Sequence, residues 1–212
     1  MAPRGLFLDL DGTLADSLPA MEAAYRALLR RFGREGSAAE FQNLNGPPAT
    51  VIVERIAKAH ALSTPADALL AIYRELVAQA HAAAPPAAGA REILERARKQ
   101  AWIVALVTSA ANADARQWLA RVGLAEHVQV VVGGDEVRHG KPDPEPYRVA
   151  LQRTGCDVRE SLAVEDSVQG AMAAMAAGLP TWLIGAERDR ENAAPPLFRG
   201  CLADLRALVE IL

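Results

Sequence analysis

Residues 6–13 read Leu6-Phe7-Leu8-Asp9-Leu10-Asp11-Gly12-Thr13. The apolar run from Leu6 to Leu10 has the length and composition of a buried parallel strand. Asp9 interrupts it, and a carboxylate at the end of a core strand is unfavourable unless it is paired or bound to a metal. Asp9 and Asp11 are two apart, so in strand geometry their side chains share a face. Gly12 then permits a sharp turn. Acids so placed suit a hard cation with oxygen ligands, such as Mg2+. The plainer alternative is a strand that simply ends in a polar turn, and three later stretches weigh against it.

From Asp16 to Ala84 the pattern is helical throughout. Asp16 or Ser17 caps a first helix, which carries Leu18, Met21, Tyr25, Leu28 and Phe32 at helical spacing and is closed by Gly33. A second helix is expected from Ser37 to Leu44. A third starts at Pro48, after the turn Asn45-Gly46-Pro47, and a fourth runs from Ser63-Thr64-Pro65 to Ala84, where Pro85-Pro86 breaks it. From Gly89 onward helices and strands alternate. The expected strands are Trp102–Val107, Val128–Val132, Leu162–Val164 and a last one at Pro180–Ile184, with a terminal helix from Leu202 to Leu212. This alternation predicts an α/β fold with a doubly wound parallel sheet. Residues 1–15 and 86–212 form the expected core domain, and residues 16–85 an inserted all-helical domain. Residues 185–200 read as a polar loop.

The chain has 212 residues, 51% of them hydrophobic, enough for such a core with a small accessory domain. A net charge of −3 favours neither nucleic acid nor an anionic membrane surface. No apolar stretch reaches the ~20 residues of a membrane span. Cys156 and Cys201 are too few for a disulfide framework and read as inert core thiols. Met1-Ala2-Pro3-Arg4 runs directly into the first strand and leaves no room for a signal peptide, so a cytoplasmic setting is expected.

The strand ends share a feature. The first ends in Asp9 and Asp11, the second in Thr108, and the fourth in Glu165 and Asp166. In an open parallel sheet, ligands bind at the C-terminal strand edge. Acids, a hydroxyl and the nearby Lys141 therefore converge from distant segments, and that convergence predicts a catalytic site. Alone, Thr108 reads as a helix N-cap, Lys141 as a solvated loop lysine, and Glu165 and Asp166 as acids at a helix N-terminus. His60, His81 and His127 have no spacing that suggests a metal, and His139 reads as a surface residue.

Four ordered signatures carry a resemblance: Asp9-Leu10-Asp11-Gly12-Thr13, Val107-Thr108-Ser109, Gly140-Lys141-Pro142-Asp143-Pro144, and Glu165-Asp166-Ser167 with Gly170 following. Over nearly its full length the chain resembles the haloacid dehalogenase superfamily in its phosphatase branch, and residues 16–85 look like that family's small helical cap. The resemblance implies Mg2+-dependent phosphoryl transfer through an aspartyl-phosphate. Asp9 would be the nucleophile and Asp11 the general acid and then base. Thr108 would bind a phosphoryl oxygen, and Lys141 would offset the developing charge. Asp9, Asp11 (through its backbone carbonyl), Glu165 and Asp166 would hold the metal. Gly12, Asn45, Gly46, Ser109 and Asn112 would contact the substrate.

Within the family, the haloacid-cleaving reaction dispenses with the second aspartate and the metal, whereas this chain has Asp11 and a full acidic set. Sugar phosphomutases carry a basic residue shortly after the cap-turn glycine. The matching run Gly46-Pro47-Pro48-Ala49-Thr50 has none, and Met21 occupies the place of the mutase histidine. The favoured expectation is a phosphatase of a small phosphorylated sugar or polyol, acting as a monomer or weak homodimer. Phosphoglycolate phosphatase and sugar phosphomutase are the enzyme alternatives, and a catalytically silent binding module is the non-enzyme one.

Overall fold

Leu6, Phe7 and Leu8 are fully buried in the first strand, β1 (Gly5–Leu8), and alternate between the two faces of a parallel sheet. Leu6 and Leu8 join one apolar cluster, and Phe7 joins another on the opposite face. The computed structural model describes residues 2–44, 47–185 and 196–212. Asn45 and Gly46, two candidate substrate contacts, lie outside the described residues, as does most of the 185–200 loop. Among the described residues the sheet has six strands, all parallel, in the order β3-β2-β1-β4-β5-β6. The others are β2 (Ile103–Val107), β3 (Val130–Val132), β4 (Leu162–Glu165), β5 (Thr181–Ile184) and β6 (Phe198–Leu202). β1 is flanked by β2 and β4, so the strand order reverses at the centre of the sheet, where an open α/β fold places its ligand crevice.

Two expectations fail at the C-terminal edge. β5 is not the last strand, because β6 pairs with it through Trp182–Gly200, Leu183–Cys201 and Ile184–Leu202. The terminal helix is correspondingly short, Leu205–Val209. Arg199 and Gly200 hide this strand in the sequence. An edge strand needs no continuous apolar run, and here Gly200 and Leu202 are buried while Arg199 is exposed.

Among the described residues, four helices fall between Leu14 and Pro86: α1 (Leu18–Arg31), α2 (Ala38–Leu44), α3 (Ala49–Ala59) and α4 (Ala66–Ala83). They share an apolar cluster of their own, built on Tyr25, Leu28, Phe41, Ile56, Leu69 and Tyr73. The sheet is covered by α5 (Ala90–Lys99), α6 (Asn112–Arg121), α7 (Glu145–Thr154), α8 (Val168–Ala176) and α9 (Leu205–Val209). The outgoing and returning chains are tied together where they pass between the two parts. Asp16 N donates to Pro85 O at 2.9 Å, Ala87 N donates to Leu14 O at 2.9 Å, and Ala15 bridges Pro86. Among the described residues, no helix is long and apolar enough to cross a membrane.

Ile56 has no solvent exposure and sits in the cluster of α1–α4. Ile56→Ala should destabilise the protein by about 2–5 kcal/mol through the cavity it leaves. Urea denaturation measures the loss, and hydrogen exchange should show it first in the α1–α4 amides, ahead of β1 and β4.

Candidate active site

Asp9 follows β1 directly, its backbone N–H still donating to Val164 O at 3.0 Å. Continuing the ladder into the β4 strand carries the carboxylate to the sheet's C-terminal edge, where it is buried. Lys141, from the loop between β3 and α7, reaches the same point. Its Nζ lies 2.5 Å from Asp9 Oδ1, 2.9 Å from Val107 O and 2.5 Å from Glu165 Oε1. Burial alone would push the Lys141 ammonium down, but the adjacent Asp9 and Glu165 carboxylates hold it well above the usual lysine range. Asp9 moves up as well. Burial is the main cause, and Glu165, Asp166 and Asp11 add to it, together outweighing the attraction of Lys141.

The site therefore has more buried negative charge than Lys141 neutralises. Asp9, Glu165 and Asp166 each offer a carboxylate oxygen, and these oxygens lie within 4.8 Å of one another. Hard oxygen donors around a surplus of buried charge fit a divalent cation of the Mg2+ type. Gly12 shapes this cluster too. Its φ is +77°, and a Cβ there would overlap the Asp166 carboxylate, so the turn after Asp11 needs a glycine for both conformation and space.

Asp11 sits in the turn beyond β1, and its Oδ1 has two neighbours. Ser17 Oγ donates to it at 2.6 Å. The expected helix cap is absent, because the Ser17 hydroxyl is turned to Asp11 and caps nothing at α1. His81 Nε2, from the last turn of α4, lies 3.0 Å from the same oxygen without the alignment of a hydrogen bond. Burial draws the His81 imidazole down, but Asp11 and Asp114 leave it raised overall. His81 has no metal-ligand spacing and so does not stand out in the sequence. The available signal was its position just before the Pro85-Pro86 break, where the helical segment returns to the sheet.

Thr108 follows β2. Its N–H donates to Val132 O at 3.0 Å, and its Oγ1 accepts from Ala110 N at 3.0 Å, which leaves the hydroxyl proton to donate. Asp9, Asp11, Thr108, Ser109, Lys141 and Asp166 line one small cleft. A larger one of about 500 Å³ continues from Asp11 and Ser109 between the sheet edge and helices α3 and α4, where Thr50, Tyr73, Arg74 and His81 form its wall. Asn112 is not brought to either cleft. It opens α6, and its Nδ2 donates to Val131 O at 3.0 Å and to Glu136 Oε2 at 2.5 Å. Tyr147, which no motif of the sequence singles out, is fully buried and donates its hydroxyl to Glu165 Oε1 at 2.5 Å.

Comparison with known proteins gives consistent results. The model of the haloacid dehalogenase-like hydrolases matches residues 6–184. A phosphoglycolate phosphatase of Cupriavidus necator, plasmid-encoded, is 31% identical over 186 residues, covering 84% of this chain and 79% of the relative. A phosphorylated carbohydrates phosphatase of Thermotoga maritima is 28% identical, covering 82% and 81%. The crystal structure of a beta-phosphoglucomutase from Clostridium difficile superimposes with a TM-score of 0.84 over 97% of this chain and 93% of that one, at 15% identity, a likeness of fold.

Lys141→Met would leave the buried Asp9 and Glu165 without their shared cation. Metal-free protein carrying it should lose about 3 kcal/mol or more of stability, the usual result of removing one partner of a buried pair. Urea melts in EDTA measure this, and a loss below about 1 kcal/mol would show that the two carboxylates do not rely on Lys141.

Proposed function

Because the chain belongs to the haloacid dehalogenase-like hydrolase family, we propose that it is a phosphatase of small phosphorylated metabolites that works through a phosphorylated Asp9. The observation that carries this reading is the meeting of Asp9, Asp11, Thr108, Lys141 and Asp166 in one small cleft. Asp9 attacks phosphorus, the phosphorus–oxygen bond to the leaving group breaks, and Asp11 gives the departing oxygen its proton. Asp11, now ionised, takes a proton from water as the water attacks the aspartyl-phosphate. That step releases inorganic phosphate and restores Asp9.

Lys141 keeps one oxygen of Asp9 in place and offsets negative charge on the transferring group. Thr108 donates its hydroxyl proton to a phosphoryl oxygen. Ser17 holds Asp11 by a hydrogen bond to Oδ1, with His81 beside the same atom, which leaves its other oxygen for the proton transfers. Asp9, Glu165 and Asp166 would hold Mg2+, which when bound supplies positive charge favouring the ionised Asp9 and the charge developing on phosphorus. The helices α1–α4 act as a cap that limits water at the cleft.

Relatives named for sugar phosphates and for phosphoglycolate support two substrate readings. The turn from Asn45 to Thr50 has no cation, which favours a neutral polyhydroxy leaving group. A second reading rests on the α4 wall of the larger cleft, which brings Arg74 and His81 near the leaving-group side. Arg74 is exposed and suits a leaving group that ends in a carboxylate, as phosphoglycolate does.

Phosphate release from a panel of phosphomonoesters tests the proposal. Activity should vanish in EDTA and return with Mg2+. Asp9→Asn should lose it while remaining folded, and a tenth of wild-type turnover in that variant would remove Asp9 as nucleophile. Interconversion of hexose 1- and 6-phosphates would identify a mutase instead. Arg74→Leu separates the substrate readings: with an acidic leaving group kcat/KM should fall about tenfold or more, the size of one charge-assisted hydrogen bond, whereas a neutral sugar phosphate should be turned over nearly as before.

A further inference from the structure

Glu165 has no solvent exposure, and its two oxygens are in different surroundings. Oε1 accepts from the Tyr147 hydroxyl at 2.5 Å and lies 2.5 Å from Lys141 Nζ. Oε2 has Ser167 Oγ at 3.4 Å, a long and weak contact. On the remaining side, Gly170 in the first turn of α8 lies so close that a Cβ would overlap the carboxylate. A carboxylate has about four lone-pair sites, two on each oxygen. Two strong donors therefore saturate Oε1, and Oε2 keeps room for one strong partner.

Tyr147 is well placed to enforce this. Its ring is fully buried among Phe7, Val107, Ala163 and Ala174 on one face of the sheet. Lys141 Nζ lies 5.5 Å from the ring centroid.

We propose that Tyr147 is a positioning residue that occupies Oε1 of Glu165 and so makes it a one-oxygen ligand, biasing the site toward small octahedral cations. The proposal rests on the reading that Glu165 belongs to the metal shell. Mg2+ takes single oxygens in near-ideal octahedral geometry, whereas Ca2+ takes more oxygens and accepts both from one carboxylate. A Glu165 with one oxygen already saturated is a better partner for the first than for the second. Without the phenol, Oε1 would keep only Lys141, and the carboxylate could offer both oxygens.

The test uses the full-length protein, stripped of metal and without substrate, titrated calorimetrically with MgCl2 and with CaCl2. In Tyr147→Phe, which keeps the ring and removes the hydroxyl, the ratio of the Ca2+ to the Mg2+ dissociation constant should fall about fivefold or more, the size of one hydrogen bond. Metal-free melting curves establish that the variant is folded. An unchanged ratio in a folded variant would overturn the proposal. If Tyr147→Phe does not fold, Tyr147→Met carries the same expectation. Absence of Mg2+ binding by the wild type, or equally tight Mg2+ binding by Glu165→Gln, would refute the metal reading itself and the role of Tyr147 with it.

Discussion

The ammonium of Lys141 is the contact on which the sheet's working edge depends. It has three donors, and each meets an acceptor from a different strand end: Asp9 after β1, the Val107 carbonyl on β2, and Glu165 on β4. Two carboxylates buried this deeply would otherwise be strongly disfavoured in their charged forms. With the lysine in place they are held a fixed distance apart, facing the crevice where the strand order reverses. The loop that carries Lys141 is thus part of the sheet's edge as much as of the chain beyond β3.

That fixed edge meets a second surface of different origin. Helices α1–α4 have their own apolar cluster, and the cleft of about 500 Å³ lies between them and the strand ends. The chemistry-bearing acids belong to the sheet side, while Tyr73, Arg74 and Thr50 belong to the helical side. Under the proposed function, such a division would let one set of groups handle the phosphoryl centre and another handle what is attached to it.

Residues whose burial is physically unfavourable were legible in the sequence. Asp9, Glu165 and Asp166 stand at the ends of apolar runs, where carboxylates need a reason to be, and the alternation of strands and helices brings those ends to one edge. Lys141 was legible only in combination with them. Ser17, His81 and Tyr147 were not, because each has an ordinary local explanation as a helix cap, a helix-terminal histidine or a helix aromatic. Their partners Asp11 and Glu165 lie on other elements, and only the folded chain brings them within reach. Asn112 shows the reverse. The family resemblance implies a substrate contact for it, but the amide is engaged by Val131 and Glu136. β6 was hidden for a third reason, since an edge strand with Arg199 and Gly200 needs no apolar run.

The two chain crossings between sheet and helices bear on how far the halves could be exchanged between relatives. Ser17 on the outgoing crossing and His81 at the end of α4 both touch Asp11, and the crossings are hydrogen-bonded to each other through Asp16–Pro85 and Leu14–Ala87. A chimera joined at residues 16 and 85 would therefore bring in a foreign neighbour on each side of Asp11, although every acid of the sheet edge would be native. The natural seams for transplanting the helical segment lie farther into it, beyond Ser17 at one end and before His81 at the other. The helical segment could then be swapped while the surroundings of Asp11 travel with the sheet.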